Sequence, residues 1–374
     1  MRLSEFQFEL PEDRIAQRPA DERDASRLLV VRREGEGDSD GETIEHARFR
    51  DLARFLEPGD LLVRNDSRVL PARLAASLET GGRLEALFVR PAPAEEPAGA
   101  AEAGSATESD SSQDPAPGRE GNAWIVLIRP SKRMRPGRAV LFANGAVTAR
   151  AVAPAGEGEW VLAFDEGEDV LALLHAHGRM PLPPYIKRDA DDTDVARYQT
   201  VYADHGGSVA APTAGLHFTD EVFDDLRARG VAIESLTLHV GPGTFRPIRT
   251  ENIEEHTIEA EAYSIPKRTA DAVNAARLAG RRVLAVGTTT VRTLEGAAQG
   301  GTIAPGHGWT DAYIYPGFEP AIVSGMITNF HLPDSSLFLL VCGLFGTERM
   351  KRVYTEAIAR EYRFYSYGDA MLVL

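Results

Sequence analysis

The chain has 374 residues, 43% hydrophobic and 26% charged, enough for about two to three domains with a sizeable core. These values exclude collagen-like, wholly disordered and disulfide-scaffold proteins. A formal charge of −15 excludes a generally basic nucleic-acid binder while leaving room for a local cationic patch.

The amino-terminal stretch MRLSEFQFELPEDRIAQRP is charged throughout and lacks the apolar run of about 7 to 15 residues that a signal peptide needs, so export by that route is not expected. From Leu61 to Phe164 short apolar runs follow one another between glycines and prolines: DLLVRN, ARLAASLE, RLEALFVR, AWIVLIR, AVLFANGAVTARAVA and WVLAFD. That spacing predicts a small all-β barrel or sandwich. Residues 92–121 interrupt it with seven acidic side chains, one basic, no aromatic and no Val, Ile, Leu or Met. Such a segment cannot bury enough apolar surface to offset its ordering entropy, and we expect a disordered loop between two strands.

Beyond residue 168 the pattern alternates. A helix is predicted near Asp220 to Arg229, stopped by Gly230, then a strand in VAIESLTLHV; a second helix spans Lys267 to Leu278, stopped by Gly280, then a strand in RRVLAVG. This region reads as α/β. Leu337 to Gly346 is the longest apolar stretch, about half a bilayer span, and reads as a buried helix rather than a membrane segment. Another helix runs from about Thr347 to Tyr362. The single cysteine, Cys342, permits no internal disulfide and no cysteine-built zinc site, which fits a reducing cytoplasm.

Four groups of residues can carry chemistry. In RVLAVGTTTVRTLEGAA a strand, a glycine turn and three threonines open a helix. The backbone N–H groups there, with the hydroxyls of Thr288, Thr289 and Thr290, suit an anion or carboxylate, although simple helix capping accounts for one of the three. The Walker spacing and its lysine are absent. GSVAAPTAGLHFT carries Thr213, Gly215 and His217; LHVGPGTF carries His239, Gly241, Gly243 and Thr244. Glycines at strand ends admit a ligand close to the backbone, and histidine transfers protons near neutral pH; a lone His in such a place is more often a structural hydrogen-bonder than a catalyst, and two in matching settings favour a site. Asn329 and His331 stand together in ITNFHLP. His256 with Glu259 and Glu261 matches a metal site poorly, and no metal is expected. Finally, IRPSKRMRPGR holds Arg129, Lys132, Arg133, Arg135 and Arg138 without an acid, a cationic loop suited to phosphates.

The motifs LPEDRIAQRP, DASRLLV, LVRNDSRVLPARL, MPLPPYI, YQTVYA, GSVAAPTAGLHFT, LHVGPGTF, AVGTTTVR, YPGF, ITNFHLP and YRFYSYGDAM resemble the S-adenosylmethionine:tRNA ribosyltransferase-isomerase family of queuosine biosynthesis along nearly the whole chain. The acidic segment 92–121 is longer than the family usually shows. The resemblance implies a larger α/β domain, residues 1–71 and 166–374, with a small all-β barrel domain inserted at 72–165. It implies transfer and isomerisation of the ribosyl moiety of S-adenosylmethionine onto 7-aminomethyl-7-deazaguanine at the tRNA wobble position, giving epoxyqueuosine-tRNA, adenine and methionine. S-adenosylmethionine is then a consumed substrate, and no metal or other cofactor is expected. Catalytic roles fall to His217, His239 and His331. Substrate binding falls to Thr213, Gly215, Gly241, Gly243, Thr244, Thr288, Thr289, Thr290, Arg292 and Asn329, with Arg292 a donor to the methionyl carboxylate. The 129–138 loop is expected to contact tRNA, and the protein to be cytoplasmic, monomeric and free of membranes. A binding-only tRNA protein would need that loop without the histidine and glycine motifs; a nucleotide-dependent phosphotransferase would need a phosphate loop with lysine and metal carboxylates.

Overall fold

A computed structural model describes residues 1–33, 42–93 and 122–374. Apart from Ala92 and Pro93, the acidic segment 92–121 lies outside the described residues. The chain divides into two compact units, Met1–Val69 with Leu182–Leu374, and Leu70–Pro181.

Strands β1 (Arg27–Arg33), β2 (Glu42–Arg48), β3 (Leu61–Asn65) and β4 (Ser67–Val69) precede the smaller unit. That unit holds β5 (Arg73–Leu78), β6 (Arg83–Pro91), β7 (Ala123–Arg129), β8 (Ala139–Phe142), β9 (Val147–Pro154), β10 (Glu159–Phe164) and helix α1 (Val170–His177). Then come α2 (Asp192–Arg197), β11 (His205–Ser208), α3 (Asp220–Ala228), β12 (Ala232–Leu238), β13 (Glu261–Ile265), α4 (Lys267–Leu278), β14 (Val283–Val286) and α5 (Thr288–Gly296). The chain closes with β15 (Gly306–Thr310), β16 (Gly325–Asn329), α6 (Ser336–Phe345), α7 (Thr347–Ala359) and β17 (Ala370–Val373).

The smaller unit is a closed barrel of order β10-β7-β6-β5-β8-β9, antiparallel at every pairing. Alternation along RLEALFVR buries Leu84, Ala86 and Phe88. Phe88 meets Trp124, Phe142 and Phe164 at ring-centroid distances of 5.5–5.9 Å. Closure removes the exposed edges that an open sheet of this size would carry.

The run DLLVRN, which reads with the barrel strands in the sequence, is β3 of the other unit. It pairs in parallel with β12 and β14 and is buried along nearly all its length. An unbroken apolar run without alternation is what a two-sided parallel strand needs. The second domain boundary also moves: residues 166–181, assigned to the α/β domain from sequence, stay with the barrel unit. Backbone pairing of Arg73 with Arg179 and packing of α1 on β5 hold them there.

The larger unit is built on a nine-stranded mixed sheet of order β15-β13-β12-β3-β14-β16-β17-β1-β2. One face places Leu29, Val31, Val63, Ala285, Met326 and Met371 against α4 to α7. The other places Leu28, Val30, Leu62, Leu284, Ile327 and Leu372 against α3 and the 3₁₀ segment Phe49–Phe55. The alternation of neighbouring residues between these two cores is the period-2 signature of strands covered on both sides. Helix α3 offers Val222, Phe223 and Leu226 on one stripe and is capped by Thr219, whose hydroxyl accepts from the Val222 amide. Among the described residues no helix is long and apolar enough to cross a membrane.

Candidate active site

Beyond the carboxyl ends of the parallel strands β12, β14 and β16, where open α/β sheets hold ligands, lies a cavity of about 330 Å³. That volume falls within the range of small-molecule sites, about 300–1,000 Å³. Of the residues picked from sequence, Thr213, Thr244, Thr288, Thr289, Asn329 and His331 line it.

The threonine wall begins at Gly287, whose φ of +85° is costly for a residue with a Cβ. The Gly287 N–H donates to Ile327 O at 2.8 Å, locking the turn to the neighbouring strand. Helix α5 then starts without a side-chain cap, so its first amides have no partner within the helix and their partial positive charge is available to an anion. Gly287, Thr288 and Thr289 line the cavity at this helix start. The Thr289 hydroxyl accepts from Asn65 Nδ2 at 3.3 Å. Thr290 turns away and donates to Val286 O at 2.7 Å.

A hydrogen-bonded chain runs inward from the same cavity. Thr213 Oγ1 donates to Asn329 Oδ1 at 2.9 Å, and Asn329 Nδ2 reaches His217 Nε2 at 3.0 Å. With Nε2 as acceptor, the imidazole proton sits on Nδ1 and is donated to Ser26 Oγ at 2.7 Å; Ser26 in turn donates to Arg23 O at 3.2 Å. Every donor in this order has one acceptor, which fixes the tautomer and the amide orientation together. His217 is therefore one hydrogen bond behind the cavity wall. Burial, reinforced by Arg363, Arg23 and Arg197, lowers its pKa to about 3. His331 does line the cavity; its Nε2 meets Thr328 Oγ1 at 2.8 Å, and burial lowers its pKa to about 3. Both imidazoles are neutral at physiological pH.

The low values carry a stability consequence. In the unfolded chain both histidines titrate near 6.5, so between about pH 6.5 and 3 the unfolded state binds the extra protons and stability falls as pH falls. Going from pH 7 to 5 should cost about 2 kcal/mol per histidine. His217→Gln should remove about that much from the pH dependence measured by urea unfolding. An unchanged dependence would show that His217 is not held neutral.

Arg292 and Glu261 form a buried ion pair at 2.6 Å, 3% and 6% exposed. Arg292 Nε also donates to Ala312 O at 3.0 Å. The other Glu261 oxygen accepts from the Gly241 amide at 2.8 Å and from Thr244 Oγ1 at 3.3 Å. The arginine thus holds the Gly241–Thr244 turn, and it is not among the residues lining the cavity. Gly243 packs near Glu259, which pairs with Arg246 at 2.5 Å. Gly215 is needed for close packing, since a Cβ there would collide with Tyr202 Oη. His239 rests on Gly207 rather than on the cavity. His256 meets the ring of Tyr313 edge-on at 5.3 Å. Among the described residues no group of three or more His, Cys, Asp or Glu is placed to hold a metal ion.

Sequence reasoning missed two aromatic residues of the lining. Tyr185 and Tyr365 line the cavity with ring centroids 3.8 Å apart, and Tyr185 Oη meets Ser366 Oγ at 2.5 Å. Both segments lie inside quoted motifs, MPLPPYI and YRFYSYGDAM, where the signal was present but the chemistry was not. In the barrel unit, Arg129, Lys132, Arg133 and Arg135 are exposed and Arg138 is half-buried. Arg133 and Arg135 bond backbone carbonyls, and none of the five pairs with a carboxylate among the described residues.

The family model described as queuosine biosynthesis protein matches residues 3–373. The chain is 47% identical over 374 residues to an S-adenosylmethionine:tRNA ribosyltransferase-isomerase of Anaeromyxobacter sp. (strain Fw109-5), covering 100% of this chain and 99% of the relative. It is 46% identical over 375 residues to the one from Geobacter sulfurreducens, with full coverage of both. The crystal structure of the S-adenosylmethionine tRNA ribosyltransferase from Thermotoga maritima is similar at a TM-score of 0.52 and 34% identity, covering 99% of this chain and 100% of that one.

Proposed function

Since the chain belongs to the queuosine biosynthesis protein family and is an enzyme of it, we propose that it moves the ribosyl moiety of S-adenosylmethionine onto 7-aminomethyl-7-deazaguanine at the tRNA wobble position. The products are epoxyqueuosine-tRNA, adenine and methionine. S-adenosylmethionine is consumed, no metal or further cofactor takes part, and the site of action is the cytoplasm.

The observation that carries this reading is the cavity wall that joins an uncapped helix start to the Asn329 and His331 pair. The methionyl carboxylate suits the α5 amides and the Thr288 and Thr289 hydroxyls, where helix charge and hydrogen bonds act together. The sulfonium acidifies the adjacent 5′ carbon. The neutral imidazole of His331 takes a proton there, leaving an ylide, and the imidazolium so formed returns that proton to the leaving nitrogen of adenine. Loss of adenine opens the ribose ring to a vinyl sulfonium with a carbonyl at the 1′ carbon. The substrate amine adds in its neutral form at the 4′ carbon, its displaced proton going to solvent, and the ylide this regenerates attacks the 1′ carbonyl, whose alkoxide displaces methionine from the 5′ carbon and closes the epoxide. Asn329 orients the reacting ribose, and His217 acts through Asn329 as a positioning residue. Arg292 reaches this chemistry through Glu261 and Thr244.

Incubation with precursor tRNA and S-adenosylmethionine should release free adenine and methionine together; folded protein that releases neither would refute the assignment. The basic loop gives a second check. Arg133→Glu with Arg135→Glu should lower tRNA affinity and reduce the log–log salt slope by about 0.7–0.9 for each phosphate no longer neutralised, with S-adenosylmethionine affinity unchanged. Equal slopes in variant and wild type would remove the loop from the tRNA surface.

A further inference from the structure

Behind His217 the larger unit carries a second concave region, separate from the substrate cavity except at Ser366, which borders both. Two adjoining recesses share Pro19 and Ala20. Arg23 and Arg197 line the inner one, Arg27 and Arg48 the outer. All four guanidinium groups bond backbone carbonyls: Arg23 those of Leu216 and Ala196, Arg197 those of Asp21 and Ala20, Arg27 that of Arg360, and Arg48 that of Ala25. Carbonyl contacts fix the heads without neutralising them. Arg27 is further held 3.7 Å over the Tyr362 ring.

The carboxylates around these recesses are engaged elsewhere. Glu22 pairs with Arg50 at 2.7 Å and Glu361 with Arg14 at 2.9 Å. Asp369 accepts from the backbone amides of Arg27 and Arg363 and pairs with the guanidinium of Arg363, which also lines the outer recess, at 3.8 Å. Among the described residues only Asp21, on the outer rim, lines the region without a bonded cation. Four fixed cations against one such carboxylate, in a chain of net charge −15, is a local field that repels itself in the free protein and is relieved by an anion. Guanidinium forks match phosphate oxygens in geometry.

We infer that this arginine cleft binds a phosphodiester of the RNA chain, adjacent to the nucleotide whose base enters the substrate cavity. The inference rests on the tRNA reading above and adds a site to it, on a different unit from the 129–138 loop. Ser366, shared by the substrate cavity and the inner recess, sets the neighbourhood: the phosphate lies on one side of the Ser366 and His217 wall and the reacting base on the other.

The test uses the full-length protein and an anticodon stem–loop RNA. Arg23→Gln with Arg197→Gln should weaken RNA binding and lower the log–log salt slope by about 0.7–0.9 for each phosphate the cleft ceases to hold. KM for tRNA should rise while S-adenosylmethionine affinity stays unchanged. Should that variant fail to fold, exposed Arg48→Glu serves, with the same expected direction. A measurement on the wild type needs no variant: replacing the phosphates flanking the wobble nucleotide with neutral methylphosphonates should weaken binding, and should do so less in the arginine variant. Unaltered affinity and slope in a folded variant, or equal methylphosphonate penalties in variant and wild type, would overturn the inference. Competition by inorganic phosphate alone, with stem–loop affinity insensitive to the substitutions, would assign the cleft to a free anion and likewise overturn it. Because these readouts are binding constants, they stand apart from adenine release, whose absence would refute the activity instead.

Discussion

Asn329→Ala is expected to lower the single-turnover rate of adenine release by on the order of 100-fold or more, with tRNA still bound. Three losses combine. The cavity loses a polar group at its wall, Thr213 loses the oxygen that orients it, and buried His217 Nε2 loses its donor, leaving an acceptor unsatisfied at about 1–3 kcal/mol. Asn329→Asp separates shape from polarity. An aspartate can still accept from Thr213 but cannot donate to Nε2, and its charge draws a proton onto His217, raising that pKa from its depressed value. The aspartate variant should therefore be slow and should acquire a pH dependence near neutrality that the wild type lacks. A rate equal to wild type in Asn329→Ala would remove the amide from the chemical step.

Arg292→Ala should destabilise the protein by about 3–5 kcal/mol, because Glu261 is then left charged, buried and alone. For a unit of this size the melting temperature should fall by on the order of 10 °C. S-adenosylmethionine binding should weaken as well, because the Gly241–Thr244 turn is released and not because the ligand itself loses a donor. Arg292→Met combined with Glu261→Gln removes both charges and should recover most of the stability. Intact stability with abolished S-adenosylmethionine binding in Arg292→Ala would instead make the arginine a direct ligand.

The contrast between the two residues shows where sequence reading stops. Lys267–Leu278 and the strand after it were legible because local periodicity and a terminal glycine set them. The strand, Gly287 and threonine order was legible for the same reason, and with it the helix start that faces the cavity. Arg292 reads from the sequence as a donor to the methionyl carboxylate, because of its charge near that start. Arg292 sits in α5 and its partner Glu261 on β13, and a buried pair across 31 residues leaves no periodic trace. His217 and His331 look equivalent as letters; only packing puts one on the wall and the other behind it. DLLVRN resembles its barrel neighbours in composition, and its place in the other sheet follows from which strands flank it, a non-local choice.

The place of β17 in the sheet bears on how the polypeptide acquires its form during synthesis. Residues 370–373 pair on one side with β16 and on the other with β1, so the strand translated last of the three is wedged between the other two. The barrel, contiguous between Leu70 and Pro181, can fold as a unit while the ribosome is still working. The nine-stranded sheet cannot. Until β17 emerges, β1 and β2 have no route to the other strands, and the Leu29 and Val31 face waits for the later helices that cover it. At about 5–20 residues per second, that wait from β1 to β17 lasts on the order of 20 to 70 seconds, the interval in which a nascent chain depends most on chaperones.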